Sequence, residues 1–376
     1  EWWRQKRTRL LAMAKDQSSL YVFDRGSVSS AAERLKKIAS VGRFLYAVKA
    51  NPFASILQTL ASHEVGFECV SPGEIKHVLD CVKGIDPSNI LFTPNFAPRD
   101  EYVAAFDAGV LVTVDNLYPL KEWPEVFAGR DIFVRVDPGQ PRGHHHHVKT
   151  AGINSKFGVP IESLPELVAL AQKSSTRIVG LHAHRGSGIR APQEWAKTGQ
   201  LLSTVSELFP EARVLDLGGG LGVPERASQV PLDLGALDDS LKALKTAFPQ
   251  FELWLEPGRY FVAEAGVLLA AVTQTKYKGD SVYVGVNTGM NSLIRPALYG
   301  AWHDIVNLSR LDDSDSVIAD IVGPICESGD TLGRGRRIAT PNSGDILLIG
   351  NAGAYGHSMS SHYNLREPAE EFMLED

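Results

Sequence analysis

Lys49 closes the run Phe44-Leu45-Tyr46-Ala47-Val48-Lys49-Ala50-Asn51-Pro52, which reads as a buried strand stopped by Asn-Pro. A lysine at such an end points into whatever cavity lies beyond. Burial there disfavours the ammonium, and a neutral amine attacks carbonyl carbon. The plain alternative is a strand cap that snorkels to water. Other groups with chemical capacity also end apolar runs: Glu68, Asp115, Arg135, His184, Gly218-Gly219-Gly220 and Glu256. The triple glycine offers close backbone approach and exposed N–H groups to an anion, or is simply a tight turn. Glu256-Pro257-Gly258-Arg259 adds a carboxylate and a guanidinium fork suited to phosphate or carboxylate; a surface salt bridge is the alternative.

The segment around His184 and two further groups carry more chemistry. In His182-Ala183-His184-Arg185-Gly186-Ser187-Gly188 the deeper His182 reads as a satisfied core histidine, and His184 as a flat ring able to stack on a cofactor. Cys326-Glu327, in a glycine-rich loop, pairs a thiol able to protonate a carbanion with a carboxylate. Arg295 and Tyr299 stand one helical turn apart and are able to hold a carboxylate together. His144 to His147 tempt a metal reading, but consecutive residues alternate faces and rarely converge on one ion. A solvated loop is expected there, and no metal site.

These residues need elements to position them. Between Phe44 and about Arg259, strand-like runs at 44–49, 66–70, 89–93, 111–115, 132–137, 178–184, 213–217 and 252–256 alternate with helical patterns such as Glu162 to Gln172 and Trp195 to Phe209. That rhythm predicts α/β architecture with a parallel (β/α)8 TIM-like barrel, whose active site lies at the C-terminal strand ends. The strands are marked by apolar runs alone, independent of the rim residues, so the coincidence of those residues at the strand ends argues for an enzyme. A lysine amine and a carboxylate on one rim suit pyridoxal phosphate, because a carboxylate beside a pyridine nitrogen keeps it protonated and makes the ring an electron sink. After about Ala265 the runs 267–275, 281–286, 316–322 and 345–350 come with turns and little helix, predicting a mostly β domain. The expected division is an N-terminal segment 1–24, able to pack on the β domain, a barrel 25–265, and a C-terminal β domain 266–376.

Bulk properties narrow the partners. The chain has 376 residues, 44% hydrophobic and 22% charged, with net charge −6, which suits two soluble domains and no nucleic-acid partner. No apolar run approaches the ~20 residues of a membrane span. The first residues, Glu-Trp-Trp-Arg-Gln-Lys-Arg, do not read as a signal peptide, and the absence of an initial methionine suggests processing, trimming or excision from a longer polypeptide. Cys69, Cys81 and Cys326 are too few and too scattered for a disulfide framework, so a cytoplasmic location is expected.

Together YAVKAN (46–51), HAHRGSG (182–188), LDLGGGLG (215–222), EPGRY (256–260), GPICESGD (323–330) and GNAGAYGHSMSSHYN (350–364) resemble the fold-type III pyridoxal-phosphate decarboxylases, the ornithine/diaminopimelate/arginine family. The likeness spans nearly the whole chain. GMNSLIRPALYGAWHDI (289–305) and the CES triplet resemble its diaminopimelate branch. The resemblance implies an alanine-racemase-like barrel and β domain, and a homodimer with shared active sites. It implies Lys49 as the Schiff-base lysine, His184 stacked on the cofactor ring, and Glu256 at the ring nitrogen. It further implies cofactor contacts from Glu68, Arg135, Ser187, Gly218, Gly219, Gly220, Gly258, Arg259 and Tyr355. Cys326 resembles the proton donor, and Arg259, Arg295, Tyr299, Glu327 and Tyr355 the substrate contacts. The implied reaction converts meso-2,6-diaminopimelate to lysine and CO2. Alternatives are an ornithine, lysine or arginine decarboxylase, an amino-acid racemase, or a non-catalytic cofactor-binding protein. Some relatives are fused behind an aspartokinase, but no kinase segment is recognisable here. The tetra-histidine and Ala151 are mild departures within the loop 143–158.

Overall fold

The computed structural model describes residues 1–15, 19–139 and 155–375, which divide into two compact units. His144 to His147 and Ala151 lie outside the described residues. One unit comprises 31–223 and 231–260; the other comprises 1–30, 224–230 and 261–376.

Strands are numbered along the chain from β1 (Ser19–Asp24). The first unit is a closed parallel barrel of β2 (Arg43–Ala47), β3 (Gly66–Cys69), β4 (Ile90–Phe92), β5 (Leu111–Val114), β6 (Asp131–Arg135), β7 (Arg177–His182), β8 (Val214–Asp216) and β9 (Glu252–Leu255). It closes where Arg43 pairs with Trp254. All eight expected strands are present. Leu45, Leu91, Phe133 and Trp254 fill the interior as one apolar cluster. Gly180 makes room for this layer, since a Cβ there would stand 2.2 Å from the Phe133 ring.

The second unit is β-rich. β10 (Gly266–Lys278), β11 (Ser281–Val286), β12 (Ile305–Asn307), β13 (Ser316–Val322), β14 (Thr331–Ala339) and β15 (Ile346–Ile349) form a sheet in the order β12-β15-β10-β11-β13-β14. β1 pairs antiparallel with β10 and parallel with β16 (Glu370–Leu374). The helix Arg7–Ala14 packs Leu10 and Ala14 on Leu20, Val22, Val267 and Leu348. Sequence patterning passes over β12, β14 and β16. β14 (TLGRGRRIA) carries two glycines and three arginines, and β16 (EEFML) begins with two acids.

Candidate active site

The barrel mouth is built from the turns that leave its strands. The expectation placed Lys49 on a strand, but β2 ends at Ala47 and Val48–Ala50 form a single 3-10 turn. Asn51 N–H closes that turn on Val48 C=O at 3.0 Å, and Tyr46 OH donates to Asn51 C=O at 2.9 Å. The residue before Pro52 is held extended, which stops the turn from growing into a helix. The Lys49 side chain is 42% exposed, and its Nζ donates to Glu68 Oε2. Burial is therefore not what the fold supplies to this amine; it supplies a carboxylate. Glu68, 2% exposed, also accepts from Thr93 Oγ1.

The next turns are zipped together. Ile189 N–H donates to Gly220 C=O, and Gly222 N–H to Ile189 C=O, both at 2.9 Å. This joins the loop carrying His184 and Ser187 to the glycine turn. Gly218 and Gly220 have φ of +68° and +88°, which L side chains rarely adopt. Space is equally short: a Cβ on Gly219 would stand 2.2 Å from Glu256 C=O, and one on Gly220 2.2 Å from Gly186 C=O. Two of the three amides are used inside the protein. Gly218 N–H donates to Asp216 Oδ1 at 2.9 Å and Gly219 N–H to His184 Nδ1 at 3.2 Å. The tight-turn reading and the anion reading thus share this segment, and Gly220 carries the amide that neither bond consumes.

Gly219 N–H makes His184 Nδ1 an acceptor, so the ring proton sits on Nε2. Desolvation, then the Arg135 charge, push this imidazole down to about 3. His184 is therefore neutral at physiological pH. Arg135 is 9% exposed and stacks on Phe157, 4.4 Å from the ring centre. Asp115 accepts from Asn95 Nδ2 at 2.7 Å and Asn116 Nδ2 at 3.0 Å, while burial raises its carboxyl. Glu256 follows β9, 6% exposed, with Oε2 3.2 Å from His182 Nε2. Burial works against its charge, but His182, Lys49 and His184 outweigh that and hold the carboxyl below its ordinary range. Gly258 packs against the Lys49 turn, where an added Cβ would touch those of Ala47 and Ala50 at 3.0 Å.

The barrel thus brings together Lys49, Glu68, Arg135, His184, the glycine turn, Glu256 and Gly258, with Ser187 in the loop zipped to that turn and Arg259 next after Gly258 in the chain. Sequence reasoning gave no role to Thr93 or Asp216 and placed His182 in the core as satisfied. In the structure His182 faces Glu256, and its Nδ1 has no partner among the described residues. The spacing of His182 two residues before His184 is the one signal that both serve the same strand end.

The other expected residues belong to the β-rich unit. Arg295 and Tyr299 bound a five-residue helix ended by Gly300 at φ +61°. Arg295 is 4% exposed; its Nε donates to His303 Nε2, and its Nη2 to Glu225 Oε1, each at 3.4 Å. Neither partner is marked by the sequence. Cys326 and Glu327 are exposed on a loop that Asp330 secures by accepting from Ile325 N–H at 2.7 Å and Met290 N–H at 2.6 Å. Asn364 Oδ1 accepts from Cys326 N–H at 2.7 Å. Tyr355 has φ of +58°, a strained conformation for a tyrosine. Among the described residues, no helix is long and apolar enough to cross a membrane.

Comparisons with known proteins bear on this geometry. Residues 25–263 match the family model described as pyridoxal-dependent decarboxylase, pyridoxal binding domain. A diaminopimelate decarboxylase of Methanothermobacter thermautotrophicus is 38% identical over 95% of this chain and 86% of its own length. That of Deinococcus radiodurans is 34% identical over 93% and 89%. The crystal structure of Helicobacter pylori diaminopimelate decarboxylase complexed with L-lysine superposes with a TM-score of 0.90 at 29% identity, covering 98% of this chain and 94% of that one.

Proposed function

The chain belongs to the pyridoxal-dependent decarboxylases, and on that premise we propose that it converts meso-2,6-diaminopimelate to L-lysine and CO2, the last step of lysine biosynthesis. The observation that carries this reading is the identity shared along nearly the whole chain with curated diaminopimelate decarboxylases.

The barrel's donor set fits pyridoxal phosphate: an accessible primary amine, a neutral imidazole and a buried, ionised carboxylate. When bound, that cofactor supplies a carbonyl carbon for the substrate amine and a protonated ring that accepts the electrons left by the departing carboxylate. Lys49 is the residue that would hold the aldehyde carbon and yield it to the substrate amine. Glu68 receives the Lys49 ammonium at other times. Glu256 would keep the ring nitrogen protonated, and neutral His184 would lie against the ring without repelling that charge. The Gly220 amide, Ser187 and Arg259 suit the phosphate. Arg135, Gly258 and Tyr355 complete the cofactor contacts. The Cys326 thiol would deliver a proton to the α-carbon. Arg295 with Tyr299 suits the distal carboxylate of the substrate, Glu327 its distal ammonium, and Arg259 and Tyr355 its reacting end.

A homodimer with shared sites is part of this proposal. Tyr363 and Leu365, 48% and 94% exposed, flank the Asn364 that accepts from the Cys326 N–H, which supports a second copy covering this surface. Cys69, Cys81 and Cys326 are all free thiols, which supports a cytoplasmic location.

One observation favours a second reading. Glu225 already pairs with Arg295, so a diamine precursor without a distal carboxylate is not simply repelled by that guanidinium. The protein would then act on ornithine or lysine. Incubation of the holoenzyme with meso-diaminopimelate decides between them. Stoichiometric lysine and CO2 support the proposal, and faster CO2 release from ornithine or lysine overturns it.

A further inference from the structure

Two acids and a histidine lie buried close together at the ends of three neighbouring barrel strands. Asp216 at the end of β8 is 0% exposed, His182 at the end of β7 is 1% and Glu256 is 6%. One polar atom from each lies within 4.8 Å of the others. Their hydrogen-bond accounts do not close. Asp216 Oδ1 takes the Gly218 N–H, and Glu256 Oε2 faces His182 Nε2. Asp216 Oδ2 and Glu256 Oε1 receive no donor from the described residues. Buried oxygens without donors are costly, and two adjacent carboxylates cannot both stay ionised cheaply. A single proton between them repairs both faults.

We propose that Asp216 is a positioning residue, held as a neutral carboxylic acid whose Oδ2–H donates to Glu256, so that the pair carries one negative charge and Glu256 carries it. The surroundings favour this distribution. Glu256 is the acid that faces His182, with Lys49 and His184 also close enough to act on it, and Arg135 feels its charge. Asp216 feels Glu256 and Glu68, both acids, and the Gly218 amide compensates in part. Burial first, and Glu256 second, push its carboxyl well above the ordinary range. Asp216 then does two things at once. Its Oδ2–H fixes the Glu256 carboxylate, and its Oδ1 anchors the glycine turn whose next amide orients His184. One buried proton couples the group meant for the cofactor ring nitrogen to the imidazole meant for the ring face.

The consequence for the cofactor rests on the function proposed above, but the proton does not, and the experiment separates the two. The infrared difference spectrum of the cofactor-free protein at pH 7, wild type minus Asp216→Asn, should contain the C=O stretch of a buried carboxylic acid; other buried acids raised by burial, Asp115 and Glu74 among them, cancel in it. Asparagine keeps the acceptor for Gly218 and offers an N–H in place of Oδ2–H. Asp216→Asn should therefore bind pyridoxal phosphate within about threefold of wild type, whereas Asp216→Ala, which orphans Glu256 Oε1, should bind at least about tenfold more weakly. A metal ion at the trio would ionise both acids and abolish the band. Absence of the band from the difference spectrum, or equal weakening by Asn and Ala, would overturn the proposal. If Asp216→Ala does not fold, the comparison of wild type with Asp216→Asn decides alone. Failure to release CO2 from diaminopimelate would leave the band untouched and count only against the substrate assignment.

Discussion

Substituting Gly219 by alanine isolates the contact that holds the barrel mouth together. Gly219 does not require a left-handed conformation, so the alanine backbone is unstrained and only space is tested. The new Cβ would stand 2.2 Å from Glu256 C=O, about 0.8 Å inside the 3.0 Å that real Cβ contacts respect. Main chain lies on both sides, so no side-chain rotation relieves it. The Gly219 amide is bonded to His184 and its carbonyl to Trp195 Nε1 at 3.0 Å, while Glu256 N–H is bonded to Gly218 C=O at 3.0 Å. Relief must move Glu256, His184 or both. Overpacking of this kind costs about 1–3 kcal/mol of stability. A displacement approaching 1 Å in a catalytic constellation costs about a hundredfold in rate. Gly219→Ala should therefore fold, unfold somewhat earlier on heating, and release CO2 about a hundredfold more slowly with weakened cofactor binding. Gly73→Ala is the control. Its nearest neighbour would be Ser71 Oγ at 3.6 Å, within the helix Pro72–Cys81, and it should be neutral or stabilising by up to about 1 kcal/mol. A folded Gly219→Ala that keeps cofactor affinity and rate within about twofold of wild type would refute the argument that this close approach sets the site.

Two other perturbations follow from the same geometry. His184 titrates near 3 in the folded protein, against about 6.5 for a free imidazole, so the unfolded chain takes up the proton first. Stability contributed by this group is present above about pH 6.5 and declines as pH falls toward 3; denaturant titration of the apoprotein should show that slope flattened in His184→Phe. Arg295→Lys keeps the charge but loses the fork fixed by His303 and Glu225, so KM for diaminopimelate should rise about tenfold or more with a smaller change in kcat, as steady-state kinetics would show.

Barrel strands are legible because a parallel sheet covered on both faces reads as unbroken apolar runs. That is why β2 through β9 and the residues ending them could be located from sequence. Lys49 shows the limit of that reading. The apolar run continued through Val48, but local hydrogen bonds to Asn51 ended the strand at Ala47 and presented the lysine on a turn beside Glu68. β14 and β16 went unread because edge strands tolerate charge and glycine that the pattern treats as breaks. Asp216 lay in plain view within LDLGGGLG, yet only three dimensions bring it to Glu256 and His182. Glu225 and Arg295 are 70 positions apart, and the segment 224–230 that carries Glu225 leaves the barrel to join the β-rich unit. No local periodicity encodes such a pairing. The roles of Cys326 and Tyr355 rest on family likeness, while the structure adds an Asn364 hold on one and a strained backbone for the other.

In the function proposed here Lys49 yields the cofactor to an amino acid whose far end is that of diaminopimelate. The direct measurement is CO2 release from diaminopimelate, lysine, ornithine and arginine by the holoenzyme and by Lys49→Ala. Diaminopimelate should be the fastest substrate for the wild type, and release from all four should be lost in Lys49→Ala. Undiminished activity in Lys49→Ala, or ornithine, lysine or arginine outpacing diaminopimelate, would contradict it.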